Sequence, residues 1–449
     1  MKNDYLKVIS DISKVYREMM MTEAVTPATI RLIFIKYAAD NYLYAQSKED
    51  MILYAEVHKN IAGRNVRYFI DSVLSVLQMI DYKIHAKGIL ANAFPAYSDD
   101  LLGEMYKKKT FGKESSDRIL GLLSSIDLSE DEAYTGKVFE ALKEYIYDSL
   151  STIGRRSAET KTEPSLIKLV KKILNVNETD TFMDFSCGYG LSSLEITEDG
   201  AKHLYLSDIR EDCLQIAIML SIIQGKTTLK TTFEQKDVFN YETGLVSASK
   251  IFSDFPLKIR LDRTQYPSHR EGTILAIYRM IDYLENGGTA IITCASGILY
   301  SLNREARELR EYLLGNRLLK AVITLPPINP GVSVNINLLI LSKQNNESVM
   351  FIDATNNEVL QFSNNARHFN SRLIDSGIDH ITNILSENKE IAGVSKLVPC
   401  KEVIEKNTLV PTAYIEYVKQ ALDISSKEIE QKLNDLYEQL FAAQNHSNK

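Results

Sequence analysis

The stretch Met183-Asp-Phe-Ser-Cys-Gly-Tyr-Gly190 constrains this chain more than any other. It follows the apolar run Thr181–Phe185 and precedes a helical pattern near 190–197. Two glycines one residue apart let the main chain turn sharply from strand to helix. They also let a ligand approach the backbone and the helix N-terminus. A dinucleotide fingerprint would carry a third glycine at position 193, where this chain has Ser193. Asp184 ends the first strand, Asp208 ends the second, and Asp237 follows the third. Acids at successive strand carboxyl ends gather at the mouth of an open α/β sheet, where ligands bind. Asp208 is suited to accept from both hydroxyls of a ribose, and Asp237 from an adenine amino group. Without a third glycine to admit a pyrophosphate, S-adenosylmethionine suits the pattern better than NAD. Taken singly, each acid could instead be a helix N-cap or a solvated loop residue.

The rest of the chain supports such a sheet. Leu166, Leu169, Val170 and Ile173 form one face of a helix that starts at Pro164. Beyond it, apolar runs at His203–Ser207, Thr231–Gln235, Lys250–Ser253, Gly288–Cys294, Leu319–Leu325 and Val334–Ser342 alternate with helical patterns near 211–223, 272–285 and 303–314. Strands separated by helices of this length imply βαβ units and a mostly parallel sheet. The last two strands, joined through Pro326, Pro327, Pro330 and Gly331, leave no room for a helix and predict an antiparallel hairpin at one edge. Residues 1–150 read as helices throughout: Arg31–Asp40 is apolar nearly all round, while Phe69, Val73, Val76, Leu77 and Ile80, and Val138, Leu142 and Ile146, recur at helical spacing. In the tail, Leu422, Ile429, Leu433, Leu436 and Leu440 make a narrow coiled-coil seam. That seam serves either a helical partner or the chain's own core. The expected division is 1–150 helical, 151–400 sheet-bearing and 401–449 tail.

Fifty-two basic against 59 acidic residues give a net charge of −7, so any nucleic-acid contact must come from a local basic surface or a partner. The four cysteines form no CxxC clip and the seven histidines show no ligand spacing, so no metal is expected. The N-terminal stretch lacks an apolar signal core, and no run approaches the ~18 residues that span a bilayer. A soluble, cytoplasmic protein is expected.

From about residue 22 to 440 the chain resembles the modification (methyltransferase) subunit of type I restriction-modification systems, an adenine-N6 DNA methyltransferase. Carrying the resemblance are the helical start at Thr26–Tyr42, the Asp184–Gly190 motif with Cys187 and Gly188, the segment Leu318–Pro327, and Phe351-Ile-Asp-Ala354. It implies a Rossmann-like class I methyltransferase fold (α/β, mostly parallel), with an N-terminal helical domain and a C-terminal helical tail. It implies S-adenosylmethionine as cofactor, with Asp208 on its ribose and Asp237 and Val238 on its adenine. Double-stranded DNA would be the substrate, and a specificity subunit bound through the C-terminal helix, with or without a nuclease subunit, the partner.

Two departures bear on activity. The family's four-residue signature, Asn or Asp, Pro, Pro, then Phe or Tyr, corresponds here to Asp254-Phe-Pro-Leu257. Asp254 and the Phe255 carbonyl would accept the two hydrogens of the target amine. Pro256 keeps part of the rigid turn, and Leu257 replaces the aromatic that stacks on a flipped-out base. Losing that stack costs about 1–3 kcal/mol. The family's Thr-Pro pair, whose Thr touches the cofactor carboxylate, is replaced by Glu163-Pro164, where Glu163 would oppose that carboxylate unless Lys161 or Thr162 shifts in. Lys258, Arg260, Arg263 and Arg270, with His269, follow the signature closely and suit the phosphates flanking a flipped base; a solvated loop is the other reading. An active methyltransferase and a weakened or inactive DNA-binding relative in a defence complex both remain open.

Overall fold

A computed structural model describes residues 5–18, 22–93, 112–129, 136–153, 162–225, 230–240, 247–257, 259–262, 264–328, 334–355, 362–365 and 370–416. Its first part is helical: α1 (Tyr5–Arg17), α2 (Thr22–Asp40), α3 (Lys48–Ala62), α4 (Val66–Ile84), α5 (Gly112–Ser124) and α6 (Lys137–Ile153). The predicted apolar stripes are the buried ones. Phe69, Val73, Val76, Leu77 and Ile80 of α4 are buried, as are Val138, Leu142 and Ile146 of α6. Helix α6 runs through residue 150, so the expected domain boundary there falls inside a helix.

Helix α7 (Pro164–Leu174) leads into a nine-stranded sheet. Its strands are β1 (Thr181–Asp184), β2 (His203–Asp208), β3 (Lys230–Gln235), β4 (Ala248–Ser253), β5 (Leu284–Ala295), β6 (Leu319–Leu325), β7 (Ile336–Ser342), β8 (Ser348–Asp353) and, last in the chain, β11 (Ser395–Pro399). The spatial order is β11-β8-β6-β7-β5-β4-β1-β2-β3. Strands β5-β4-β1-β2-β3 are parallel. Strand β7 runs against both β5 and β6. The expected hairpin of β6 and β7 is therefore antiparallel but does not form an edge. Strand β7 is inserted between β5 and β6, and β8 and β11 extend the sheet beyond β6. A separate two-stranded ribbon pairs β9 (Phe362–Asn365) with β10 (Asn370–Leu373).

The connecting helices are α8 (Leu191–Ile196), α9 (Glu211–Ile223), α10 (Gly272–Tyr283), α11 (Gly297–Tyr300), α12 (Arg304–Gly315), α13 (Asp375–Glu387) and α14 (Cys400–Lys406). Every residue of α9 from Cys213 to Ile223 is buried, which suits a helix that is apolar all round. One side lies on β2 and β3 and the other on α2. There the Arg31 guanidinium donates to Gln215 Oε1 at 2.9 Å, and the Tyr37 hydroxyl to the Ile223 carbonyl at 3.4 Å. The N-terminal helices and one face of the sheet thus share one core, running from Ile9 to Val394; each fully buried Leu or Ile contributes about 1.5–3 kcal/mol.

Residues 400–416 pack on the sheet: Tyr414 stacks on Phe351 with ring centroids 4.4 Å apart, and Leu409 donates its N–H to the Leu299 carbonyl at 2.8 Å. Fully buried Arg310 donates to the Ile298 and Ser301 carbonyls and to Asn407 Oδ1. The seam from Leu422 to Leu440 lies outside the described residues. Among the described residues no helix is long and apolar enough to cross a membrane.

Candidate active site at the sheet mouth

The turn after β1 carries Gly188 and Gly190, both at positive φ (54° and 77°). Their tasks differ. A Cβ on Gly190 would stand 3.0 Å from the Ala217 Cβ, so this glycine serves the close approach of the turn to α9. A Cβ on Gly188 would meet nothing within 4 Å, and the open approach to the backbone is there. Cys187 points into the core, and burial pushes its thiol well up. Its contribution is main-chain: its N–H donates to the Ser207 carbonyl at 3.1 Å, tying the turn to β2.

Four of the expected acids lie at or just beyond the strand carboxyl ends. Asp184 is buried. Its Oδ1 accepts the Ser186 N–H at 3.0 Å and its Oδ2 the Ser193 hydroxyl at 2.6 Å. Burial, with Asp208 and Asp254 nearby, pushes its carboxyl up to about 7. Asp208 accepts the Gly188 N–H and the Arg210 N–H, both at 2.9 Å, and burial pushes its carboxyl up. Asp237 accepts the Phe239 N–H at 2.9 Å and the Tyr266 hydroxyl at 3.3 Å, and neighbouring Val238 is buried in the core. Asp254, just past β4, accepts the Thr293 hydroxyl on Oδ1 and the Thr162 hydroxyl on Oδ2, both at 2.7 Å; burial raises its carboxyl against those two bonds.

Glu163 does not confront this mouth. It is the N-cap of α7, its carboxylate accepting the Ser165 N–H at 2.7 Å, the Ser165 hydroxyl, and the Leu166 N–H at 3.3 Å, with Pro164 at the first helical position. The anion is used at the positive end of its own helix. Thr162 is the residue that reaches the site. Lys161 lies outside the described residues.

Beyond Asp254, Phe255 is buried edge-on to Phe185 and Phe239, at centroid distances of 6.4 and 5.8 Å, and Pro256 and Leu257 are half-buried. The following loop is pinned as a small lobe. Arg260 and Glu271 form a β-bridge, and Glu305 of α12 accepts the Arg270 N–H at 2.9 Å. Arg260 and Arg270 are exposed on it, and His269 packs on Tyr278. Lys258 and Arg263 lie outside the described residues. Tyr266 of this lobe sits edge-on to Phe239 at 5.6 Å. Ile209, next to Asp208, is 61% exposed at the same mouth.

Sequence reading missed Ile209, Tyr266 and Thr293, and named Thr162 only as a residue that could shift toward the cofactor and Ser193 only as standing where a third glycine was looked for. Among the described residues no group of three or more His, Cys, Asp or Glu side chains is arranged to hold a metal.

A strand-turn-helix with an open glycine, flanked by acids on the next strands, lies where open α/β sheets take their ligands. The family model of the N-6 DNA methylases matches residues 135–421, from just ahead of α6 to beyond α14. The chain belongs to that family. The same fold occurs in the methyltransferase subunit of a type I restriction-modification system from Streptococcus thermophilus, at 16% identity and TM-score 0.69, covering 92% of this chain and 99% of that one. It occurs in a modification subunit assigned to a type I restriction enzyme from Vibrio vulnificus, at 11% identity and TM-score 0.66, covering 92% and 96%. A third relative in fold comes from a study of type I complex assembly, at 13% identity and TM-score 0.63, covering 98% and 96%. As an N-6 DNA methylase, this chain has its glycine turn, Asp208 and Asp254 all within the matched residues.

Proposed function

We propose that this N-6 DNA methylase is the modification subunit of a type I-like complex in the cytoplasm, transferring a methyl group from S-adenosylmethionine to N6 of an adenine flipped out of double-stranded DNA. The observation that carries the reading is Asp254 at the end of β4, beside the glycine turn that bears Asp184 and faces Asp208.

The chain's residues fit that cofactor. The open approach at Gly188 admits a ligand to the backbone, Asp208 suits ribose hydroxyls, and Asp237 with Val238 and exposed Ile209 suits an adenine ring. Bound there, S-adenosylmethionine supplies a methyl group on a cationic sulfonium. Asp208 and Asp254, each close enough to Asp184 to raise its carboxyl, favour such a cation over its neutral demethylated product. That difference helps product leave.

The adenine amine is a poor nucleophile because its lone pair is delocalised into the ring. Asp254 accepts one amine hydrogen and the Phe255 carbonyl the other, which keeps nitrogen electron density directed at the methyl group. Leu257 packs on the base, and Arg260 and Arg270, with Lys258 and Arg263, contact the flanking phosphates. No general base is required, since the amine can lose its proton after methylation. A specificity subunit, bound through the C-terminal seam, chooses the sequence; a nuclease subunit is a further partner of such complexes.

A second reading is a subunit that binds DNA and cofactor without transferring methyl, and Leu257 in place of an aromatic favours it. Labelled cofactor and adenine-containing DNA, supplied to the complex purified with its partners, separate the two. Transfer that disappears in Asp254→Ala supports the enzyme; cofactor binding without transfer supports the second reading. Asp208→Ala should weaken cofactor binding about tenfold or more, as for hydrogen bonds to a charged group. Unchanged affinity by calorimetry removes the site assignment.

A further inference from the structure

We infer that Thr162 and Thr293 are positioning residues for Asp254, gripping one carboxylate oxygen each and thereby setting the plane in which residue 254 meets a target amine. The inference rests on Asp254 as amine acceptor, and goes beyond it in saying what holds that acceptor and why it is an acid.

The two hydroxyls come from distant parts of the chain. Thr293 lies on β5, the strand beside β4, and is fully buried. Thr162 stands just ahead of α7 and is half-buried. Thr293 donates to Oδ1 and Thr162 to Oδ2, at 2.7 Å each. A carboxylate held by one oxygen can turn about its last torsion, which is broad and two-fold. Held by both oxygens from opposite sides, it cannot. An ionised carboxylate offers about four lone-pair sites. The threonines take one on each oxygen, so each oxygen retains capacity for an incoming N–H.

The pair also discriminates between Asp and Asn. A carboxylate only accepts, so both hydroxyls can donate at once. An amide at 254 would turn its NH2 toward one of them, forcing that hydroxyl to accept and leaving its own hydrogen to find another partner in a buried place. Two threonine donors therefore go with an acid at this position. Burial opposes the charge on Asp254 and the two hydroxyl bonds favour it. Among the described residues, the ionisable groups around the site include Asp184 on β1, Cys294 beside Thr293, whose thiol burial pushes up to about 12, and Glu163, whose carboxylate is turned onto α7 with the Arg372 guanidinium 3.9 Å away.

The test uses the full chain with Thr162→Val, Thr293→Val and their Thr→Ser counterparts. The carboxylic-acid infrared band of Asp254, identified by subtraction of Asp254→Asn, is followed against pH. Each valine should raise the protonation midpoint by about one pH unit through loss of a hydrogen bond to the charged form, and serine should return it. In the partner-bearing complex, each valine should lower kcat about ten- to a hundredfold, with KM for S-adenosylmethionine nearly unchanged. Midpoints that stay put in both valine variants overturn the grip, as does a serine variant that fares no better than valine, which would mark the threonines as packing alone. If the native complex transfers no methyl group, the enzyme reading fails, while the infrared midpoint still decides whether the threonines hold Asp254.

Discussion

Ser193 donates its hydroxyl to Asp184 Oδ2 at 2.6 Å, from the first turn of α8 into the end of β1. Another glycine there would have left that oxygen without this partner. Even with it, burial holds the Asp184 carboxyl near 7 rather than near its ordinary 3.8. The fold thus binds a proton that the unfolded chain releases, and the contribution of this group to stability falls as pH rises from about 4 through 7. Asp184→Asn keeps an acceptor for the Ser186 N–H and removes the titration. Without cofactor, the variant should gain on the native chain between pH 5 and pH 8 by roughly 2.5 kcal/mol. Denaturant midpoints at the two pH values measure it, and parallel curves would mean that Asp184 does not titrate in this range.

Gly188 and Gly190 should fail in different ways. Gly190→Ala adds a methyl 3.0 Å from Ala217 at a positive φ, and should cost a few kcal/mol, roughly 1–2 of it from the left-handed backbone. Gly188→Ala carries only the backbone strain, with open space around it, and should leave a folded protein with weakened S-adenosylmethionine binding. Melting temperature and calorimetry on the two variants separate the effects. Equal destabilisation would remove the distinction between a packing glycine and an approach glycine.

Arg260→Ala and Arg270→Ala should each weaken DNA binding by the assembled complex regardless of sequence, and each should reduce the slope of log affinity against log salt by about one. Cofactor affinity should not move. A salt slope that survives both substitutions would return this lobe to the status of a solvated loop.

Truncation after residue 424 leaves Tyr414 on Phe351 and Leu409 on Leu299. If the seam docks a partner, the truncated chain should keep its melting temperature and cofactor binding and lose co-purification with the specificity subunit. A drop of many degrees in the isolated chain would assign the seam to its own core instead.

The strands were legible as short apolar runs between helical patterns, and Asp184, Asp208 and Asp254 were legible because they close or directly follow β1, β2 and β4. The insertion of β7 between β5 and β6 was not, since nothing local in Ile336–Ser342 says which neighbours it takes. Strand β11 escaped notice as five residues ending in Pro399. Glu163 was read by its place in a family pattern, whereas Glu-Pro-Ser ahead of an apolar stripe already describes a capped helix start. Thr293 gave no signal, and Thr162 was named for the cofactor rather than for Asp254. A threonine in a strand or before a helix is ordinary, and only the fold shows that the two share one carboxylate.

The width of the sheet sets a reach. The last described residue, Glu416, accepts the Gly393 N–H at 3.0 Å, close to where β11 begins, and β11 is the edge farthest from β3. Five strand spacings separate β11 from β4, which carries Asp254 at its end; at about 4.8 Å each they span roughly 24 Å. A protein held by the chain beyond Glu416 starts from that offset, which along duplex DNA is roughly seven base pairs at 3.4 Å per step. If a partner docks beyond Glu416, the sheet acts as a ruler, and the number of strands between β11 and β4 sets how far from Asp254 that partner starts.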